Sequence, residues 1–132
     1  MAGNVTGLVP LLAVSSMESS VRYYVDGLGF VMKHKWEPGG KLRWCWLTLG
    51  SASIMLQAGR VPENNSDNGV SFHFQCEDAL AIYREMMTRG IAASEPQVSN
   101  GLWETLLRDP DGYRIFFDSP TDVPEETKLS EV

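Results

Sequence analysis

The chain has 132 residues, enough for one domain with a hydrophobic core, and its formal net charge is −6. Nucleic acid and anionic membranes bind to basic surfaces, so the acidic balance argues against both as partners. No apolar run approaches the about 20 residues that cross a bilayer, and the N-terminus lacks the basic start of a signal peptide. Cys45 and Cys76 form no C-x-x-C pair. We therefore expect a cytoplasmic protein with reduced thiols.

The first half of the chain is predicted to run strand, helix, strand, strand, strand. An apolar run at 8–14 indicates the first strand. Ser15 and Glu18 have the spacing of a capping box that opens a helix, and Gly27 and Gly29 end that helix. Three β-prone runs follow, at 30–35, 42–49 and 52–57.

The same order repeats after a polar, turn-rich segment at 60–68. The second half is predicted to contain a strand at 70–76, a helix capped by Glu77 or Asp78 and ended at Gly90, a short strand within 91–98, and strands at 102–108 and 113–118. The last two strands form a hairpin around residues 109–112, DPDG, in which Pro sets φ, Asp side chains bond nearby N–H groups and Gly accepts a positive φ.

Matching positions in the two halves indicate a duplication. Gly29 and Gly90, which end the helices, lie 61 residues apart. Val14 and Cys76, which end the strands before the helices, lie 62 residues apart. The spacing predicts two βαβββ modules, with an unrelated α+β domain that packs two helices on one sheet as the alternative.

Several motifs resemble those of the glyoxalase/bleomycin-resistance/dioxygenase superfamily, or vicinal oxygen chelate fold. Its opening pattern is V-x-D-x-x-x-S-x-x-F-Y-x-x-x-L-G-F; here Ser16 replaces the Asp, Tyr23 replaces the Phe, and the final Leu-Gly-Phe is intact. The runs WLTLGSASIMLQ, VSFHFQCEDALAIYREMMTRGI and DPDGY match later parts of the superfamily, so the resemblance spans about residues 8–118.

This resemblance implies an α+β fold in which two βαβββ modules form a cupped, incomplete barrel. The whole chain, 1–132, would be a single domain. Module one would occupy about 7–58, a linker 59–68 and module two about 69–118. The tail at 119–132 is acidic and poor in apolar residues, so we expect it to be loosely ordered.

Enzymes of this superfamily hold a divalent metal ion on strands that face the cup. The resemblance places three of the ligand positions at Val9, at Ser71 (or Gly69 if the register slips by two residues) and at Phe116. An isopropyl group, a hydroxyl and a phenyl ring cannot form the first coordination shell of such an ion. We therefore expect no metal cofactor and no catalytic residues. The alternative is a divergent metal-dependent lyase or dioxygenase-type enzyme that uses His73 with Gln57, Glu104 or Asp118.

Without a metal ion, the cup would be an apolar pocket with a few polar groups, as small-molecule sites usually are. The resemblance then points to bleomycin-resistance-type binders, which sequester a planar cationic drug in a dimer interface without reaction and so confer antibiotic resistance. We expect a homodimer that binds a small aromatic or amphipathic molecule, and the acidic balance favours a cationic one. The candidate ligand-binding residues are Trp44, Trp46, Gln57, His73, Trp103, Glu104 and Phe116.

Two other interpretations of these residues stay open. Tryptophans on strands are often part of the core or of a subunit interface, and a lone strand histidine is often hydrogen-bonded structure. A regulatory module that docks a protein through its aromatic face is therefore a third hypothesis, beside the metal-free binder and the divergent enzyme.

Overall fold

The structure is a computed structural model that describes residues 1–132, and it contains two compact units, Met1–Val61 and Pro62–Val132. Each unit has one four-stranded open sheet and one main helix, in the order strand, helix, strand, strand, strand. The predicted α+β fold with two βαβββ modules is confirmed. No helix has the length and apolar character that crossing a bilayer requires.

The first unit contains β1 (Leu11–Val14), β2 (Val31–Trp36), β3 (Trp44–Leu49) and β4 (Ala52–Ala58), in the sheet order β1-β4-β3-β2. β1 runs parallel to β4, and the other pairs are antiparallel. The helix α1 (Met17–Val21) continues into a π-helical segment, Arg22–Gly27. Its cap is Ser16, one residue after the predicted Ser15, because Ser16 has extended φ and ψ and its side chain accepts the Ser19 N–H.

Strand alternation divides this sheet into a covered and an open face. One set of alternating side chains is buried, and Tyr24 and Phe30 are buried with it. The opposite set, which includes Trp44 and Trp46, is only half-buried. Because successive side chains point to opposite faces, the first unit has one core face beneath α1 and one face that its own helix leaves open.

The second unit contains β5 (Ser71–Gln75), α2 (Ala79–Thr88), β6 (Gln97–Ser99), β7 (Leu102–Arg108) and β8 (Arg114–Pro120), in the sheet order β5-β8-β7-β6. β5 is parallel to β8. Asp78 caps α2, since its side chain accepts the Ala81 N–H at 3.0 Å. α2 packs on β7 and β8, so this sheet too has one covered and one open face.

The hairpin between β7 and β8 turns on Asp109. Its Oδ1 accepts the backbone N–H groups of Asp111 and Tyr113, each at 2.9 Å. The Gly112 N–H donates to the Asp109 carbonyl, and Gly112 has a φ of 85°. The side-chain bonds and the positive φ are those expected for D-P-D-G, and they fix the register of β8 against β7.

The acidic tail differs from our expectation of loose order. It pairs with β6: the Val98 N–H donates to the Thr127 carbonyl, and the Glu126 N–H donates to the Val98 carbonyl, both at 2.9 Å. Glu125 accepts the N–H groups of Asn100 and Gly101. β6 ends the sheet, so its outer edge offers unpaired backbone groups, and these order a segment whose composition alone predicts disorder.

The capping interaction of α2 gives a first prediction. Asp78→Ala should lower the free energy of unfolding by about 0.5–2 kcal/mol, because the Ala81 N–H loses its acceptor. Glu77→Ala, the other cap that the sequence allowed, is the matched control and should change stability by less than about 0.5 kcal/mol. Urea unfolding of both variants measures the difference, and an equal loss in the two would contradict this assignment.

Candidate functional site

The open face of the second sheet carries a group that we call the His73 cluster: His73, Glu104 and Asp118. Strand pairing brings them together, because His73 lies across from Phe116, and Asp118 lies two residues further along β8, across from Glu104 on β7. His73 Nδ1 lies 2.7 Å from Asp118 Oδ2 and 3.8 Å from Glu104 Oε2. Each residue offers one ligand atom, and these atoms all lie within 4.8 Å of one another.

Ser71 holds the other side of the imidazole. Its Oγ lies 3.0 Å from His73 Nε2, and the two residues share a face because they are two apart on β5. The ring of His73 stacks on Phe116, with 4.5 Å between centroids and 2° between planes. The imidazole is thus fixed by three neighbours, while its side chain stays 41% exposed.

Asp118 is the buried member of the cluster. It is 2% exposed, and its Oδ1 is buried without a hydrogen-bond partner, although Oδ2 pairs with His73. Burial raises the pKa of Glu104, the nearby Asp118 carboxylate raises it further, and His73 opposes both effects. When Glu104 is protonated, it can donate to the Asp118 carboxylate; when Glu104 is ionised, two carboxylates face each other. The Asp118 carboxylate therefore favours a proton or a cation beside it.

Asp118 also lines a cavity of about 370 Å³ at the ends of β5 and β8. Its other lining residues are Gln75, Cys76, Glu77, Leu102 and Pro120. This volume lies within the range of about 300–1,000 Å³ that small-molecule sites occupy.

The open face of the first sheet carries what we call the Trp face: Trp36, Trp44, Trp46, Met55 and Gln57. Trp44 lies between Trp36 and Gln57 across the strands, and Trp46 pairs with Met55. Trp36 is 59% exposed. The Nε1 of Trp46 is buried and has no hydrogen-bond acceptor. The Trp face is therefore an aromatic surface with one unmet, buried donor. The Trp46 ring already has two neighbours, since Lys33 Nζ lies 5.7 Å from its centroid and the His34 ring meets it edge-to-face at 6.0 Å.

The structure separates the predicted site residues into three places. Trp44, Trp46 and Gln57 lie on the open face of the first sheet, and His73, Glu104 and Phe116 lie on the open face of the second. Trp103 lies elsewhere: it is 6% exposed and packs with Ala79 and Val98 beneath α2. Its neighbour Glu104 faces the other side of β7, so strand alternation excludes Trp103 from the His73 cluster.

Two residues of this site lie outside the predicted ligand-binding set. The resemblance gives Ser71 as a metal position, and Asp118 is an alternative ligand of the divergent enzyme. The signal was present in strand parity, because Ser71 and His73 share a face of β5, and Phe116 and Asp118 share a face of β8. The distance between the two strands was not readable from the sequence.

The superfamily's metal positions carry no suitable donor set in this chain. Ser71 bonds to His73, the ring of Phe116 stacks on His73, and Val9 has an aliphatic side chain. The His73 cluster fits a divalent ion better, because it supplies one imidazole nitrogen and two carboxylates, one of which has a buried oxygen without a partner. His73 and Asp118 lie two residues beyond Ser71 and Phe116.

Solved structures with the same fold include antibiotic-binding proteins. TnmS3, an antibiotic binding protein from Streptomyces sp. CB03234, has a TM-score of 0.71 and 21% identity over 89% of this chain and 98% of that one. A bleomycin-binding protein complexed with bleomycin has a TM-score of 0.70 and 20% identity, with 87% and 98% covered. The bleomycin-binding protein of Streptomyces verticillus, complexed with copper(II)-bleomycin, has a TM-score of 0.69 and 20% identity, with 86% and 95% covered.

No curated protein matches the sequence. The sequence profile of one family does match it, over residues 7–117, which is most of the chain and includes both modules. Together with the two open four-stranded sheets, this match extends the resemblance carried by the first helix and the last hairpin. The chain belongs to the Glyoxalase/Bleomycin resistance protein/Dioxygenase superfamily.

Proposed function

We propose that this protein binds a small aromatic or amphipathic molecule on the open faces of its sheets, and that this binding requires no metal ion. The observation that carries the proposal is the Trp face, where indole rings lie half-buried on a sheet surface and the Trp46 Nε1 lacks an acceptor. Planar ligands stack on such rings, and a shift of the side chains that cover the Trp46 Nε1 would let a ligand carbonyl or ring oxygen accept its N–H. The structural neighbours that bind bleomycin and other antibiotics support the same reading.

A cationic ligand suits this protein better than an anionic one. The net charge is −6, and the His73 cluster places two carboxylates on an open sheet face. Indole faces also attract cations through their negative quadrupole. Sequestration of a planar cationic drug, and hence antibiotic resistance in the cytoplasm, is the biological role that we propose.

We further propose that the protein acts as a homodimer. Leu11 and Trp36 are large apolar side chains on the open face of the first sheet, and they are 52% and 59% exposed. Apolar surface of this kind is often covered by a partner chain. Light scattering at micromolar concentration should give twice the chain mass of 14.7 kDa, and a monomer would contradict this part of the proposal.

A divergent metal-dependent lyase or dioxygenase-type enzyme is the second candidate, and the donor set of the His73 cluster is the observation that favours it. The two candidates differ in what a chelator does. EDTA leaves ligand binding by a metal-free binding protein unchanged, whereas it stops turnover by a metal-dependent enzyme.

Ligand binding by the Trp face gives the next prediction. Bleomycin and the planar cation benzamidine should quench tryptophan fluorescence, and benzamide, the neutral analogue of benzamidine, should bind more weakly. Trp46→Phe removes the unmet N–H and should weaken binding by about 2- to 10-fold in calorimetry, the equivalent of one hydrogen bond. Trp103→Phe, beneath α2, is the matched control and should leave the affinity unchanged.

The metal requirement is tested in the same titration. Affinity for these ligands should be the same in EDTA and in buffer, because the proposed contacts are aromatic and hydrogen-bonding. An affinity that falls in EDTA and returns with added metal would contradict metal-free binding. If none of the probes binds, the hypothesis of a protein-docking module becomes the better one.

A further inference from the structure

We propose that His73, Glu104 and Asp118 bind a divalent transition-metal ion, at a position displaced by two residues along β5 and β8 from the superfamily's ligand positions. This site goes beyond the proposed binding function, which assigns no metal ion to ligand binding, and the second candidate function depends on it. It involves only residues of the second unit, and its geometry follows from the register of three neighbouring strands.

The donor atoms have nearly the separations that an ion requires. Zinc and similar ions bind nitrogen and carboxylate oxygen at about 2.0–2.2 Å, so two ligand atoms on one ion lie about 3.0–3.4 Å apart. The separations from His73 Nδ1 are 2.7 Å to Asp118 Oδ2 and 3.8 Å to Glu104 Oε2, on either side of that range. Side-chain adjustments of about half an ångström would bring the three donors onto one ion.

The unpaired carboxylate oxygen is an independent reason to place a cation here. Asp118 Oδ1 is buried and accepts no hydrogen bond, although buried acceptors are nearly always satisfied. The adjacent Glu104 adds a second carboxylate, whose Oε2 lies 3.8 Å from His73 Nδ1. A dication would neutralise both carboxylates.

Ser71 has the role of a positioning residue. Its Oγ can accept a hydrogen bond from His73 Nε2–H, and in that tautomer the Nδ1 lone pair is free to bind a metal ion in place of its present contact with Asp118. Histidines that bind metal ions usually donate their other ring N–H in this way, and such partners fix the tautomer and orient the ring.

The donor set also indicates which ions bind. One imidazole and two carboxylates suit Zn²⁺, Co²⁺, Ni²⁺, Fe²⁺ or Mn²⁺ better than Ca²⁺, which takes six to eight oxygen ligands. Three protein ligands leave at least one coordination position for water or another ligand. The half-exposed imidazole of His73 gives the ion a path from solvent.

Cys76 lies close by but does not belong to the donor set. Its Sγ donates to the backbone carbonyl of Asp118 at 3.4 Å, and burial raises the pKa of its thiol, which disfavours the thiolate that binds metal ions. Thiolate coordination of Co²⁺ gives a distinct near-ultraviolet charge-transfer band. The Co²⁺ spectrum therefore distinguishes binding by Cys76 from binding by the His73 cluster.

The test uses the full chain, stripped with EDTA and dialysed, then titrated with Co²⁺ by absorption and with Zn²⁺ by calorimetry. We expect one ion per chain and no thiolate band. His73→Ala and Asp118→Asn should each weaken binding by more than about 100-fold, and Ser71→Ala by about 10- to 100-fold, the usual effect of losing an outer-shell partner. His34→Ala, which changes the other histidine, and Glu85→Gln on α2 are the matched controls and should bind as the unmodified chain does.

Glu104→Gln keeps the proposal falsifiable if Asp118→Asn does not fold. Its amide can donate to the Asp118 carboxylate and the substitution removes one of two opposed carboxylates, so in EDTA this variant should melt at a higher temperature than the unmodified chain. It should nevertheless bind Zn²⁺ at least about 10-fold more weakly. A more stable protein that binds less metal separates loss of a ligand from loss of fold.

Three outcomes would overturn the proposal: no stoichiometric binding of either ion, a thiolate band in the Co²⁺ spectrum, or equal affinity in the His73→Ala and His34→Ala variants. None of them bears on whether the Trp face binds aromatic ligands in EDTA, so the two proposals fail separately.

Discussion

The fold depends on strand alternation beneath helices that cover only one side of each sheet. α1 and α2 each bury one set of alternating side chains, and the other set is left to a surface where no helix of the same unit lies. This constraint decides which side chains lie on an open face, where they can contact a ligand or an ion. It puts Trp103 in the core and its chain neighbour Glu104 on the open face, and it gives each unit a surface on which polar and aromatic groups remain partly exposed.

The two open faces differ in chemistry although the modules share a topology. The first is aromatic, with three tryptophans and an indole N–H that has no acceptor. The second has fewer aromatic residues and carries the paired His73 and Asp118, with Glu104 beside them. The two modules thus share a topology while their exposed side chains differ, which is why likeness of fold alone does not assign a ligand or a metal ion.

Much of the architecture was predictable because local signals agreed with the global pattern. The D-P-D-G turn, the glycines that end the helices and the alternation in β3 each specify local geometry, and together they predict two βαβββ modules. The His73 cluster was only partly predictable. The alternation of side chains along β5 shows that His73 and Ser71 share a face. The distance from His73 to Asp118 depends instead on the pairing of β5 with β8, and these two residues lie 45 positions apart in the sequence. The order of the acidic tail was not predictable from composition, because its partner is the backbone of β6.

That tail has a consequence for how the protein behaves in a crowded solution. By pairing with β6, the segment around Thr127 occupies backbone groups that would otherwise remain as a bare strand border. Bare borders recruit strands from other molecules and seed ordered aggregates. The segment around Thr127 therefore protects the β6 edge of the second sheet. Chains truncated before residue 125 are expected to associate through that edge.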